Sequence, residues 1–255
     1  MKKLIIQKFT LAEILVAMAV FSILLVLMMQ FFSGAKTLWT ANEKRSVVYS
    51  DAATVLDLMS SLLQSTFCTF DNTGANQTPF EIVQSSDDDK IYFNSNSRMK
   101  LSGGSIRYLS FQRISQSGES LNNILALKIY SDSDADFSGC FWEFNLPSGN
   151  NELTDVRTFI RGKLDGFSLP ASGTSRNVKI LLRNVTGIEF TPINEDGSTA
   201  SLTTTPVAVK IKLTVMETEA KLREWNAMPN GDAKNNFRQE NEYTFYRTVW
   251  LGKRD

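Results

Sequence analysis

Hydrophobic and polar positions are segregated along this chain. Lys2, Lys3 and Lys8 are the only charges before Glu13, and Ile14 to Met29 is then apolar except for Ser22. No charge returns until Lys36. The uncharged stretch Ile14–Ala35 has 22 residues; as a helix it is about 33 Å long, enough to cross a hydrocarbon core of about 30 Å. The basic flank on its amino side predicts a cytoplasmic start with the remainder across the membrane.

Helical spacing continues past that stretch. Leu38, Val48, Ala52, Val55, Leu56, Met59, Leu62 and Leu63 recur at three- and four-residue steps, with Trp39 and Tyr49 alongside. Lys44, Arg45, Asp51, Asp57 and Gln64 fall between them. The pattern predicts one helix from about Phe9 to Thr66, apolar all round in its first half and amphipathic in its second, with Gly34 permitting a local bend.

After Cys68 the texture changes to short alternating runs separated by polar turns. The predicted strands are Phe80–Val83, Ile91–Asn94, Ser105–Ile114, Ile124–Ser131, Gly139–Asn145, Val156–Ile160, Gly166–Leu169, Lys179–Leu182, Gly187–Ile193, Val207–Val215 and Tyr243–Leu251. The clearest is Val207–Val215, where Val207, Val209, Ile211, Leu213 and Val215 alternate with Lys210, Lys212 and Thr214. Asn194–Thr205 and Ala227–Glu242 read as long polar surface loops. The fold class expected is α+β: a long amino-terminal helix laid on one or two antiparallel sheets.

Composition narrows the chemistry. The chain has 255 residues, 27 Lys and Arg against 27 Asp and Glu, two Cys and no His. The absence of histidine removes Ser-His-Asp and Cys-His machinery, HExxH zinc sites and any His general base. Two cysteines cannot supply a four-thiolate zinc site or an iron–sulfur cluster. Walker, dinucleotide and GxSxG motifs are absent. A balanced charge lacks the basic excess of a nucleic-acid binder. These features argue against an enzyme.

Glu13 is the unusual residue of the apolar segment, because a carboxylate at the head of a membrane helix is disfavoured. Three readings of the segment compete: a plain signal anchor, a signal peptide cut after Ser33-Gly34-Ala35, and an assembly helix that needs Glu13. The run Lys8-Phe9-Thr10-Leu11-Ala12-Glu13, followed by apolar residues, resembles the prepilin leader and N-terminal methylation motif of type IV pilins and type II secretion pseudopilins. That resemblance implies cleavage between Lys8 and Phe9 by a membrane prepilin peptidase and methylation of the Phe9 amine. It also implies that Glu13 pairs with the amino terminus of a neighbouring subunit, which would give the buried charge an opposite partner. The family usually has Gly before the cut, where this chain has Lys8. Removing Lys2, Lys3 and Lys8 would leave 24 basic side chains against 27 acidic ones.

The carboxy-terminal third carries a narrower resemblance. Ile180-Leu181-Leu182-Arg183-Asn184-Val185-Thr186-Gly187-Ile188-Glu189-Phe190, then Thr205-Pro206-Val207-Ala208-Val209-Lys210-Ile211-Lys212-Leu213, then Phe245-Tyr246-Arg247-Thr248-Val249-Trp250-Leu251 follow the order seen in J-type minor pseudopilins and W-type minor pilins. The expected organisation is a leader over 1–8, a transmembrane and assembly helix over 9–35, an amphipathic stalk helix over 36–67, and an exported β-rich, pilin-like domain over 68–255.

Other candidates compete with ordinary structural roles. Asp132, Asp134, Asp136 and Glu143 match the acidic positions of an EF-hand calcium loop, but Phe137 stands where Gly is wanted and strands rather than helices are predicted on either side. A solvated acidic hairpin is the competing reading, and calcium is the single cofactor to consider. Asp87-Asp88-Asp89 reads as a solvated turn. Cys68 and Cys140 either form a disulfide, in an export compartment that permits one, or sit as buried thiols. Asn76-Gln77-Thr78 and Asn184-Val185-Thr186 match the N-glycosylation pattern, which prepilin handling makes a coincidence.

The resemblance implies a minor pseudopilin that assembles into a type II secretion pseudopilus or type IV pilus-like fibre. Its partners would be other pilins or pseudopilins, prepilin peptidase, the inner-membrane assembly platform and the membrane, with no nucleic acid. It would cross the inner membrane once, with its carboxy-terminal domain periplasmic or extracellular until it enters a fibre. The alternatives are a pilin-like adhesin or surface ligand-binding subunit, and an anchored hydrolase that the missing histidines disfavour.

Overall fold

The computed structural model describes residues 10–66, 80–86, 88–95, 107–115, 123–131, 161–170, 175, 177–200 and 206–251. The chain divides into two compact units, Met1–Val47 and Val48–Asp255. It is α+β, with a long amino-terminal helix and, among the described residues, two antiparallel sheets. Helix α1 runs Leu11–Gln64 and continues without a break through Gly34.

In the first unit the apolar side chains of α1 from Leu11 to Phe32 are all exposed. This part of the helix is long and apolar enough to cross a membrane. Two of its hydroxyls are satisfied within the helix, the arrangement a lipid surrounding favours. Ser22 Oγ donates to the Met18 carbonyl at 2.8 Å and Thr37 Oγ1 to that of Ser33 at 3.0 Å.

In the second unit, Ala52, Val55, Leu56, Met59, Leu62 and Leu63 form the stripe that spacing predicts, and all are buried. They pack in one core with the inner faces of both sheets. Met59 and Leu63 are fully enclosed, so truncating either to Ala should cost about 2–5 kcal/mol.

The first sheet is a five-stranded meander ordered β1 to β5: Glu81–Val83, Lys90–Ser95, Arg107–Ile114, Ile124–Ser131 and Val178–Arg183. Ile91, Phe93, Leu109, Phe111, Leu125 and Leu127 supply its inner face. The second sheet is β6 (Val185–Ile193), β7 (Ala208–Met216) and β8 (Glu242–Trp250) in that order. Asn184, with φ 60°, is the single residue between β5 and β6. Asparagine tolerates this left-handed conformation, which re-aims the chain from one sheet to the other. The turn is tied down by the Met216 N–H donating to the Asn184 carbonyl at 2.8 Å.

Two expectations are corrected. Gly166–Leu169 is not a strand: residues 161–166 are helical and 167–170 form no strand. Leu164 and Leu169 are almost fully buried, Leu164 with Tyr92, Tyr108 and Tyr130, and Leu169 with Ile124, Ala126 and Val178. The apolar alternation therefore reflects packing onto the outer face of the first sheet, not pairing within it.

Ala227–Glu242 is not a loop. Helices α2 (Glu219–Ala227) and α3 (Asp232–Asn241) fill the connection between β7 and β8. Leu222 is the one buried apolar side chain of α2 and α3 has none, so the periodic signal is too thin to read. Other interactions hold the pair. Thr218 caps α2 by accepting from the Lys221 N–H. Lys234 and Arg238 of α3 lie over the Trp225 ring, 5.0 and 5.7 Å from its centroid.

Candidate functional site

Thr10 and Glu13 begin α1 with a reciprocal capping box. The Glu13 N–H donates to Thr10 Oγ1 at 3.3 Å, while the Thr10 N–H donates back to Glu13 Oε2 at 2.8 Å. The Thr10 hydroxyl also donates to Oε2, at 3.0 Å. Thr-x-x-Glu ahead of an apolar run is the sequence signature of this motif, and it was legible at Thr10-Leu11-Ala12-Glu13. The carboxylate therefore has a local role that needs no second subunit, a role the sequence reading overlooked. Two of the three contacts fall on Oε2, and the side chain is exposed among apolar residues that are exposed as well.

Lys8, Phe9, Cys68, Cys140, Asp132, Asp134, Asp136 and Glu143 lie outside the described residues. So do the strands expected at Gly139–Asn145 and Val156–Ile160. Among the described residues, no group of three or more His, Cys, Asp or Glu side chains comes together as a metal site would require.

A polar cluster that periodicity did not flag lies on the outer face of the first sheet. Tyr92, Ser110 and Lys128 are registered side by side across β2, β3 and β4. Asp165, from the segment that covers this face, accepts from Tyr92 Oη at 2.7 Å and from Lys90 Nζ at 3.3 Å. Gln112, with its amide turned so that Nε2 faces the carboxylate, donates to Asp165 at 3.2 Å and accepts from Lys128 Nζ at 3.3 Å. Lys128 Nζ also reaches the Asp165 carbonyl at 3.3 Å. Burial lowers the Lys128 ammonium to about 8; Lys90 adds to the shift and the Asp165 carboxylate opposes it. Burial first, then the hydrogen bond to Asp165 and its charge, hold the Tyr92 phenol well above its ordinary range. The cluster clamps residues 161–170 to the sheet, aided by Arg161 and Glu81 at 3.1 Å.

The acidic run near residue 88 is also corrected. Asp89 is 5% exposed, not a solvated turn residue. Its carboxylate accepts from the Ser85 N–H at 2.7 Å and the Phe190 N–H at 2.8 Å, while its own N–H donates to the Ile188 carbonyl at 3.0 Å. The chain at Asp88 runs parallel to β6 and covers its edge. Thr186, in the glycosylation-pattern triplet, donates its hydroxyl to Glu242, which Arg238 holds at 2.8 Å.

No protein-family model matches the chain, and no curated protein matches it.

Proposed function

We propose that this chain is a pilin-like assembly subunit of the minor pseudopilin or minor pilin kind, held in the inner membrane by α1 until it enters a fibre. The observation that carries the reading is the continuous exposed apolar surface of α1 with a carboxylate, Glu13, at its head. Neighbouring copies or relatives would bury that surface. Both hydrogen bonds that the Glu13 carboxylate accepts fall on Oε2, so Oε1 would receive the amine of an adjacent Phe9 once the leader is cut. Packing apolar helices around such a pair would stabilise the fibre by area burial, and the charge pairing would fix the axial register. This chain has no phosphate-binding motif, so the work of extraction falls to a separate nucleotide hydrolase.

Further support comes from the second sheet. The first segment of the narrower resemblance crosses from β5 into β6, and its β6 part neighbours the other two there, with Ile188, Leu213 and Phe245 in register across β6, β7 and β8.

Glu13→Gln separates capping from charge, because Gln also accepts from the N-cap N–H. The expected result is that Glu13→Gln and Glu13→Ala both insert in the membrane and both fail to co-purify with partner pilins. Normal co-purification of Glu13→Gln would reduce Glu13 to a cap and refute the assembly role.

The second reading, an adhesin or surface ligand-binding subunit, draws on Tyr246 and Trp250, which are 60% and 62% exposed on the outward face of β8. Loss of surface attachment in Tyr246→Ala/Trp250→Ala, with fibre assembly intact, would favour it.

A further inference from the structure

Resting on the reading that the uncharged stretch 14–35 spans a membrane, we propose that the helical turns just beyond it form a girdle that docks into an anionic phospholipid headgroup layer. The girdle is Lys36, Trp39, Lys44 and Arg45.

All four side chains are exposed, Trp39 at 75%, and Leu38 beside it is 68% exposed. A large indole left open on a helix calls for a surrounding that is apolar at one end and wet at the other, which the bilayer interface supplies. The axial distances agree. Trp39 lies about 6 Å beyond Ala35, within a headgroup zone that extends roughly 5–8 Å past the hydrocarbon core. Lys44 and Arg45 lie about 14 Å beyond Ala35. Helical side chains lean towards the amino end, here the membrane side, and the field of an anionic surface persists for a Debye length of about 8 Å.

Charge and its distribution favour lipid over a protein partner. Among residues 36–47 there are three basic side chains and one acidic, Glu43. At about 100° per residue, Lys36, Lys44 and Arg45 point roughly 0°, 80° and 180° around the axis. A protein docking on one face would leave part of that set unmatched. A headgroup layer surrounds the helix and meets every member. Thr40 does not compete for headgroups, since its hydroxyl donates to the Lys36 carbonyl at 2.9 Å.

The test uses the full chain at low protein-to-lipid ratio in vesicles of phosphatidylcholine with one quarter phosphatidylglycerol. Trp142, Trp225 and Trp250 are replaced by Phe, leaving Trp39 as the sole fluorophore. A companion variant carries Leu24→Trp with Trp39→Phe. Nitroxides are placed on the headgroup or deep on the acyl chain. The expected result is that Trp39 is quenched several-fold more by the headgroup nitroxide and the Leu24→Trp probe several-fold more by the deep one. Lys44→Glu/Arg45→Glu should weaken headgroup quenching of Trp39, and this effect should vanish in pure phosphatidylcholine. Deep quenching at position 24 with Trp39 shielded from both nitroxides would overturn the girdle in favour of contact with a second copy, leaving the span intact. No effect of the charge reversal would overturn its anionic character. Absence of quenching at position 24 would overturn the span and the girdle with it.

Discussion

The Asp89 carboxylate accepts the Phe190 backbone N–H at 2.8 Å, joining the β1–β2 connection of one sheet to the edge strand of the other. The same side chain accepts from the N–H of Ser85, an exposed residue, so its removal strands the buried Phe190 N–H and releases the loop at Ser85. Hydrogen bonds to a charged acceptor are worth roughly 1.5–3 kcal/mol each. Asp89→Ala should therefore destabilise by about 3 kcal/mol, measured by chemical denaturation of the detergent-solubilised chain. Asp89→Asn keeps one acceptor and should lose less. A loss below about 0.5 kcal/mol for Asp89→Ala would remove the staple from the account.

The Lys128 cluster predicts a pH dependence of stability. The folded chain releases the Lys128 proton near 8, whereas the unfolded chain keeps it up to about 10.5. Stability should then rise with pH between these values, because the unfolded state binds more protons there. Tyr92 acts in the opposite sense. Its folded value is raised, so the stability it contributes is complete below pH 10 and declines above it. Denaturation midpoints should climb from pH 7.5 to about pH 10 and then fall. Lys128→Met should flatten the climb; an identical slope in that variant would contradict the assignment.

The α2–α3 hairpin offers a contrast between a part-buried and an exposed ion pair. Arg238 and Glu242 are 29% and 11% exposed, and Glu242 also accepts from Thr186. Glu242→Ala should cost about 2 kcal/mol and raise amide exchange throughout the hairpin. Arg223 and Glu219, 70% and 55% exposed, should tolerate Ala at either position within about 0.5 kcal/mol. Equal effects at the two sites would show that the Trp225 clamp, not Glu242, holds the hairpin.

The strongly periodic elements were legible in the sequence. Helix α1 was expected from about Phe9 to Thr66 and runs Leu11–Gln64. Val207–Val215 emerges as β7, Ala208–Met216, where Lys210 and Lys212 are more open than Val209, Ile211 and Leu213 while Thr214, expected beside the lysines, is buried. What escaped was held by other physics. Helix α3 owes its place to cation–π and ionic contacts made by polar residues, which hydrophobic spacing cannot register. Residues 161–170 alternate because they cover a sheet face, a pattern that a paired strand would share. Asp89 has the composition of a turn, and its burial follows from a strand edge 101 residues away in sequence. Glu13 was found for its charge in an apolar context, while its capping partner Thr10, three residues earlier, went unread.

The central claim, a leader-bearing assembly subunit, is tested most directly by mass spectrometry of the mature amino terminus isolated from the native host membrane. The account predicts a chain beginning at an N-methylated Phe9. A chain beginning at Lys36, or one that retains Lys8, would contradict it.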